Sequence, residues 1–416
     1  MSSTIFDLLR VLKQTDWIPR VSFPPRVIHG PASSYNQRGM AKTTTLDLRR
    51  DVGQLLILGY DGLAVDSKLR TVLSTLQPSG VILFARNIET PQQTWRLLRD
   101  SQAATQTPMF LCVDLEGGTV DRLKNVIAPA PSVQQVFATR NRKLFRMHGN
   151  MLGLEARALG FNTDFAPVFD LGLEASRSVL TSRTASDDPQ KTIAYAREFL
   201  RGLKAAKVLG CGKHFPGLGE ANLDSHKDMP VVHKSWKKVW QEDLLPYREL
   251  HRQIPFVMVA HACYPEITKD NLPASLSRKW MQDVLRKKIG YRGLIISDDL
   301  EMGGVLSTGE IEEVAVETLR AGADMFLVCH SQELVWRAYE AVLRMAERDR
   351  RFAAHIAQAA KRVLSFKKRS TELRGFAAEP KDKVITKLQK LLTDFTRVIG
   401  SGVIDDRLHT SREINV

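Results

Sequence analysis

Three short segments of the chain combine ionisable side chains with glycine, a pattern typical of loops around an active site. The first reads KHFPGLGEANLDSH (residues 213–226), and its Pro216 and Gly217 interrupt both helix and strand. This loop carries Asp224 and His226, two residues apart. A histidine beside a carboxylate suits a proton carrier, because the carboxylate raises the imidazole pKa. The same pair would also fit a surface turn capped by Asp224, but its place directly after a predicted strand favours catalysis.

The other two segments place carboxylates where apolar runs end. GLIISDDLEMGG (residues 293–304) carries Asp298, and CVDLEGGTVDRL (residues 112–123) carries Asp114. A carboxylate buried at the end of an apolar run destabilises the fold unless it is hydrogen-bonded, so an unpaired one there suggests a function. For the neighbouring Glu116 and Asp299 we expect a structural role that ties loops together.

Eight short apolar runs, each followed by a helix-like amphipathic segment, recur through the middle of the chain. They are nearly continuous in Val, Ile, Leu and Phe, as in parallel strands that are buried on both faces. The runs cover residues 53–60, 80–86, 108–114, 162–170, 208–215, 255–261, 293–299 and 324–330. Eight strand–helix alternations predict an α/β fold, a TIM-like (β/α)8 barrel.

In such a barrel the active site lies at the carboxyl ends of the strands. These ends are unusually polar in this sequence. Their ionisable residues are Arg86, Asp114, Glu116, Asp164, Asp170, Lys213, His214, His261, Asp298, Asp299 and His330. One or two such residues would be capping groups, whereas a ring of them predicts a polar ligand held by many hydrogen bonds.

The sequence divides into three segments. We expect an irregular N-terminal extension in residues 1–41, the barrel in residues 42–366 and a basic helical tail in residues 367–416. The tail contains DKVITKLQKLLTDFTRVI, which is apolar at helical spacing and predicts a terminal helix packed on the barrel or partly free, rather than a membrane or partner helix. Met40 leaves open a start downstream of Met1.

Composition excludes several classes of protein. The chain is 43% hydrophobic and 25% charged, as expected of a globular protein, and no run reaches the ~18 apolar residues of a membrane span. Its charge of +14 is concentrated in the terminal segments, and only 7% of residues are aromatic, so we expect no nucleic-acid partner. Asp7 and Arg10 interrupt any secretory signal, and four scattered cysteines predict buried free thiols. We therefore expect a cytoplasmic protein.

Taken together, the motifs resemble those of the bacterial β-N-acetylglucosaminidases (β-hexosaminidases) of glycoside hydrolase family 3, in their single-domain, cell-wall-recycling form. The resemblance covers about residues 50–332, where the motifs occur in the same order as in the family and at sensible spacings. The motifs are KHFPG–G–DSH, which is highly specific, SDDL with a following Met-Gly, VD–EGG–V–RL, GVILFARN, DFAPV–D and AGADM. The His/Asp loop distinguishes this branch from the β-glucosidases of the family, which usually take their acid/base from a second domain.

The resemblance implies a retaining hydrolase that releases terminal, non-reducing β-linked N-acetylglucosamine. The implied substrates are muropeptides (GlcNAc-1,6-anhydro-MurNAc) in peptidoglycan recycling. It also implies that Asp298 is the nucleophile of a covalent glycosyl-aspartate intermediate, and that His226 is the general acid/base with Asp224 as its partner. The residues implied to hold the sugar are Asp114, Arg122, Arg183, Lys213 and His214.

Elementary electrostatics agrees with this assignment. A nucleophilic carboxylate must stay ionised, and Lys213 and Arg183 from neighbouring strand ends would favour the ionised form of Asp298. Such chemistry needs neither a metal nor an organic cofactor, and the carboxylates and Lys213 argue against a zinc site built on the histidines. We expect a monomer that binds a small carbohydrate.

Three positions depart from the family pattern. Leu218 stands where the family loop commonly has histidine, Thr119 where it commonly has arginine, and Ala185 where it has phenylalanine. Two other functions stay open. One is a β-N-acetylglucosaminide phosphorylase, because a histidine repels phosphate less than a carboxylate does. The other is a non-catalytic sugar-binding barrel.

Overall fold

The structure is a computed structural model that describes residues 45–221 and 229–401, together with Ile18 and the pair Arg20–Val21. Twelve strands occur in this part of the chain. In chain order they are β1 (Arg20–Val21), β2 (Leu56–Leu58), β3 (Gly80–Ile82), β4 (Phe110–Val113), β5 (Leu115–Gly117), β6 (Val120–Asp121), β7 (Thr163–Asp164), β8 (Cys211–Phe215), β9 (Phe256–Val259), β10 (Leu294–Asp299), β11 (Met325–Val328) and β12 (Phe376–Ala377).

Each of the eight predicted apolar runs contains one strand of a single parallel sheet. The sheet order is β7-β4-β3-β2-β11-β10-β9-β8. Its two end strands are joined by backbone hydrogen bonds from Asp164 to Leu209 and from Cys211 to Ala166, each 2.8 Å long. The sheet therefore curves round on itself, and the predicted (β/α)8 barrel is confirmed.

Helices surround the sheet, and several begin at residues that cap their first turn. Thr90 and Asp188 each precede a proline at the first helical position and accept a hydrogen bond from a free backbone N–H of that turn. The α-helices are α1 (Thr45–Gly53), α2 (Ser67–Leu76), α3 (Pro91–Ala103), α4 (Val133–Ala138), α5 (Arg142–Ala158), α6 (Arg177–Leu180), α7 (Pro189–Ala205), α8 (Trp236–Gln241), α9 (Leu245–Leu250), α10 (Pro265–Thr268), α11 (Gly303–Leu306), α12 (Ile311–Ala321), α13 (Gln332–Arg348), α14 (Arg350–Arg369) and α15 (Asp382–Gly400). A π-helix, Lys279–Ile289, precedes β10. Of the helices in the described ranges, none has the length and apolarity needed to cross a membrane.

The segment after α14 packs against the outside of the barrel. β12 pairs with β1 in an antiparallel ribbon, and the indole N–H of Trp95 on α3 donates to the carbonyl of Ala377 at 2.7 Å. α15 then lies against α4 and α5. The residues that it buries are Ile385, Leu388, Leu391, Leu392, Phe395 and Ile399. The predicted tail helix thus packs on the barrel.

Aromatic rings fill the barrel interior opposite the site. Phe110 on β4 and Phe256 on β9 meet edge to face at 5.0 Å, and Phe366 at the end of α14 lies 5.7 Å from Phe256. The next residue, Lys367, donates to the side-chain carbonyl of Gln54 at 2.9 Å. Burial lowers the pKa of this lysine to about 7, so its ammonium is only partly protonated near neutral pH.

We expect Phe256→Ala to lower the free energy of unfolding by about 3–5 kcal/mol, because it leaves a cavity among rings that cannot collapse into it. Leu272→Ala is the control, since Leu272 is 45% exposed. Urea unfolding followed by circular dichroism measures both. Equal losses in the two variants would contradict this account of the core.

Candidate active site

Six of the eight predicted site residues belong to the described part of the chain, and all six lie at the carboxyl-end face of the barrel. Lys213 and His214 are in β8, Asp298 is in β10 and Asp114 follows β4 directly. Arg122 and Arg183 lie in the connections that follow on the same face. The predicted acid/base pair, Asp224 and His226, falls within residues 222–228, outside the described residues.

Four of the charged side chains form one ion-pair cluster, made of Asp114, Glu116, Arg183 and Lys213. The ammonium of Lys213 lies 2.9 Å from Asp114 Oδ1 and 2.7 Å from Glu116 Oε1. Arg183 donates two hydrogen bonds to Glu116, at 2.8 and 2.9 Å. Two cations therefore face two carboxylates, which compensates for the burial of the charges.

Each buried member of the ion-pair cluster is held in its charged form by its neighbours. Burial would raise the pKa of Glu116, but Arg183 and Lys213 bring it well below its usual range. Burial would lower the pKa of Lys213, but Asp114 and Glu116 bring it above its usual value. By contrast, burial raises the pKa of Asp164 far above normal, and this carboxyl accepts a hydrogen bond from the Leu115 N–H at 3.0 Å.

His214 is fixed by a carboxylate behind it. Asp170 Oδ2 lies 2.6 Å from His214 Nδ1, and the same carboxylate accepts hydrogen bonds from the backbone N–H groups of His214 and Leu218. Because Nδ1 is bound to Asp170, Nε2 is the nitrogen left to interact with a ligand. The Lys213–His214 peptide bond in this strand is cis.

The three acidic residues at the end of β10 have different roles. Asp299 accepts hydrogen bonds from the N–H groups of Cys329 (3.2 Å) and Glu301 (3.1 Å). Glu301 accepts from Cys329 and Ser331, each at 2.8 Å, and from His330. Both side chains therefore tie the loop after β11 to the end of β10, as expected for Asp299.

Asp298 is not used in this way. Within the described ranges its carboxylate forms no ion pair and accepts one hydrogen bond, from the N–H of Asp299 at 2.9 Å. Burial would raise its pKa, but His214, His261, this N–H and Lys213 bring the pKa below its ordinary value of 3.8. Lys213 thus favours ionised Asp298, as predicted. Arg183 instead donates two hydrogen bonds to Glu116 and stabilises the ionised form of that carboxylate.

Arg122 lies beside an aromatic residue at the edge of the site. Its guanidinium is 5.8 Å from the ring centre of Phe84, whose ring also stacks on His330 at 5.3 Å. Arg122 forms no ion pair with any described residue, and its buried Nε has no hydrogen-bond partner there. No carboxylate of the described residues therefore neutralises its charge. His330, in contrast, faces Asp299 at 3.4 Å.

Sequence reasoning missed two residues of the site. Asp170 was visible only as one more acidic strand end, and its role depends on a tertiary contact with His214. Glu301 gave a weaker signal, as the acid three residues after Asp298. Its partners Cys329 and Ser331 are about thirty residues away along the chain, so no local pattern identifies them.

The three departures from the family pattern occupy different surroundings. Leu218 is 6% exposed, and its backbone N–H donates to Asp170 at 2.8 Å, so this position contributes to the site through the backbone. Ala185 is also 6% exposed and packs in the core near α7. Thr119 is exposed at the turn between β5 and β6.

We expect Glu116→Gln to lower the free energy of unfolding at pH 7 by about 3 kcal/mol, because Arg183 and Lys213 lose a buried anionic partner. The pKa of Glu116 is lower in the folded protein than its ordinary value of 4.5. Its stabilising contribution is therefore complete above that pH and is lost as the pH falls toward the folded-state pKa.

Denaturant unfolding of wild type and Glu116→Gln at pH 7, 5 and 3.5 measures this contribution, and the difference between the two should shrink at the lowest pH. Glu174→Gln is the matched control, since Glu174 pairs with Arg177 at the surface and is 78% exposed. Its expected effect is below about 0.5 kcal/mol. A difference for Glu116→Gln that is constant with pH would show that its charge is not the cause.

Comparison with known proteins agrees with the geometry. A family model described as the glycosyl hydrolase family 3 N-terminal domain matches residues 47–366. A protein named beta-hexosaminidase from Tolumonas auensis is 37% identical over 281 residues, which are 67% of this chain and 83% of that protein. One of the same name from Pseudomonas aeruginosa is 36% identical over 291 residues, 70% of this chain and 86% of that one. The solved structure of a family 3 β-N-acetylglucosaminidase from a Paenibacillus species has a TM-score of 0.79 and 30% identity, covering 84% of this chain and 68% of that one. The chain belongs to glycoside hydrolase family 3 and is a glycoside hydrolase.

Proposed function

We propose that the protein is a retaining β-N-acetylhexosaminidase that removes terminal, non-reducing β-linked N-acetylglucosamine. One observation carries the proposal. Of the three acidic residues at the end of β10, Asp298 is the one whose carboxylate is not engaged by the loop after β11, whereas Asp299 and Glu301 both accept hydrogen bonds from that loop. The beta-hexosaminidases among its relatives support the choice of sugar.

In the proposed first step, the carboxylate of Asp298 attacks the anomeric carbon as the bond from that carbon to the aglycone oxygen breaks. The lowered pKa of Asp298 supports this role, because only the ionised form is a nucleophile. The product of this step is a covalent glycosyl-aspartate. Since a second displacement follows at the same carbon, the anomeric configuration is retained overall. Water then attacks the same carbon and releases both the sugar and the Asp298 carboxylate.

The ion-pair cluster would hold the sugar in two layers. The side chains of Asp114 and Arg183 are 17% and 18% exposed, while those of Glu116 and Lys213 are 1% and 3% exposed beneath them. We assign the outer pair to the hydroxyl and acetamido groups of the sugar and the inner pair to holding the outer pair in place. Arg122 and His214 Nε2 complete the proposed set of groups that contact the sugar.

We assign the proton transfers to His226, with Asp224 as its partner. His226 would protonate the leaving oxygen in the first step and accept a proton from water in the second. The residues on either side of segment 222–228 support this role. Tyr264 donates to the carbonyl of Gly217 at 2.6 Å, and the N–H of Cys263 donates to the carbonyl of Pro230 at 2.8 Å. Both anchors lie just after β9, which is next to the strand of Asp298.

The proposed natural substrates are muropeptides, GlcNAc-1,6-anhydro-MurNAc with or without its peptide, in cytoplasmic peptidoglycan recycling. Mass spectrometry of the products from a muropeptide mixture, with and without inorganic phosphate, tests this assignment. Free N-acetylglucosamine is the expected product under both conditions. N-acetylglucosamine 1-phosphate as the main product would instead identify a phosphorylase.

We expect Asp298→Asn to reduce kcat for 4-nitrophenyl β-N-acetylglucosaminide by at least about 10³-fold, because the amide cannot form the covalent intermediate. Asp283→Asn is the control. Asp283 is an exposed residue that pairs with Lys287, and its variant should keep wild-type activity. Undiminished turnover by Asp298→Asn would exclude this residue as the nucleophile.

We expect His226→Gln to reduce kcat/KM far more for a disaccharide than for a 2,4-dinitrophenyl glycoside, because the better leaving group needs no protonation. With the activated substrate, the second step should become limiting. Intact-protein mass spectrometry should then detect one N-acetylglucosaminyl group attached to the variant. Equal losses with both substrates would mean that His226 is not the acid.

A further inference from the structure

Helix α15 lies outside the residues that the family model matches. Its second half nevertheless contacts residues that pack against the hairpin of the active site. Phe395 on this helix is fully buried, and its ring stacks on the imidazole of His148 on α5 with the centroids 6.0 Å apart. The next residue, Thr396, approaches the loop that leads into α4, with its hydroxyl 3.5 Å from the carbonyl of Pro129.

His148 in turn is fixed on its other sides by α7. Its Nδ1 lies 2.7 Å from the hydroxyl of Tyr195, and its ring meets Phe199 edge to face at 5.4 Å. Burial lowers the pKa of His148 to about 3, so the imidazole is neutral at physiological pH. It therefore acts through its shape and its hydrogen bond rather than through charge.

The hairpin of β5 and β6 rests against this imidazole. Gly117 has φ +84°, and a Cβ added there would lie 2.9 Å from His148 Nε2 and 2.3 Å from the carbonyl oxygen of Pro131. No side chain fits between the hairpin and its support. The residue before Gly117 is Glu116, at the centre of the ion-pair cluster, so a shift of the imidazole would move that carboxylate.

A second series of contacts connects α15 with Arg183, the partner of Glu116. α15 also packs on α4, and α4 packs on the short 3₁₀-helix Thr181–Arg183. Arg183 is the last residue of that 3₁₀-helix and makes the two-bond contact with Glu116. Both sides of this ion pair are thus supported by elements that touch α15.

We propose that Phe395 is a positioning residue for the active site, acting through His148 on Glu116 and the ion-pair cluster. The inference rests on the proposed function, since the cluster is assigned there to sugar binding. Loss of the ring would leave a cavity beside His148 and loosen the hairpin. Because the cluster would contact the sugar in the ground state and the transition state alike, the loss should appear in KM more than in kcat.

The test compares Phe395→Ala with Leu388→Ala in the full chain. Leu388 is equally buried on the same helix, about 10 Å away along its axis. Both variants should lower Tm. For 4-nitrophenyl β-N-acetylglucosaminide, Phe395→Ala should raise KM about fivefold or more with kcat nearly unchanged, and Leu388→Ala should leave both at wild-type values. Calorimetry with N-acetylglucosamine should reveal the same loss of affinity in Phe395→Ala alone.

Unchanged KM in Phe395→Ala, or an equal rise in both variants, would overturn the inference, because the helix would then only stabilise the fold. If Phe395→Ala does not fold, Phe395→Leu keeps an apolar side chain without the stacked ring, and an unchanged KM there would have the same meaning. Activity of the wild type separates the two proposals. An inactive wild type refutes the proposed function, whereas an active wild type with unaffected variants refutes the positioning role alone.

Discussion

The need to balance charge in a buried cluster constrains this active site more than any other interaction. Lys213 comes from β8, Glu116 from β5, Asp114 from the end of β4 and Arg183 from a 3₁₀-helix after β7. Removing one member of such a cluster leaves a partner charge buried without compensation, at about 3–5 kcal/mol. Three separate segments of the chain are therefore held in one arrangement, and that arrangement prepares fixed charges for a polar ligand.

The same site divides its carboxyl groups by environment rather than by residue type. Asp164 has a raised pKa and accepts a backbone N–H, Asp170 orients His214, and Asp299 accepts from the loop after β11. The pKa of Asp298 is lowered, and among the described residues its carboxylate accepts only the N–H of the adjacent Asp299. Groups with one intrinsic acidity thus differ in pKa and in their partners according to burial and hydrogen bonding, which is how a fold can assign different roles to like residues.

The fold was predictable because each barrel strand is buried on both faces and so appears as an unbroken apolar run. The strand-end rule then placed Asp114, Lys213, His214 and Asp298 together at one face. The expected structural role of Asp299 is borne out, but the sequence could not identify its partner, because the backbone N–H of Cys329 lies thirty residues away along the chain. Nor could the sequence assign Arg183 to Glu116, because this contact joins a 3₁₀-helix to a strand far away along the chain.

The hairpin that carries Glu116 shows why such contacts matter. β5 and β6 are three and two residues long, and an isolated hairpin of this size has little stability of its own. Its geometry is imposed by its neighbours: Asp164 holds its first N–H, Asp121 accepts from Leu123 and Ala130, and His148 lies under Gly117. Because a short hairpin is only as rigid as the residues around it, elements outside the barrel that contact those residues help to hold Glu116 in place.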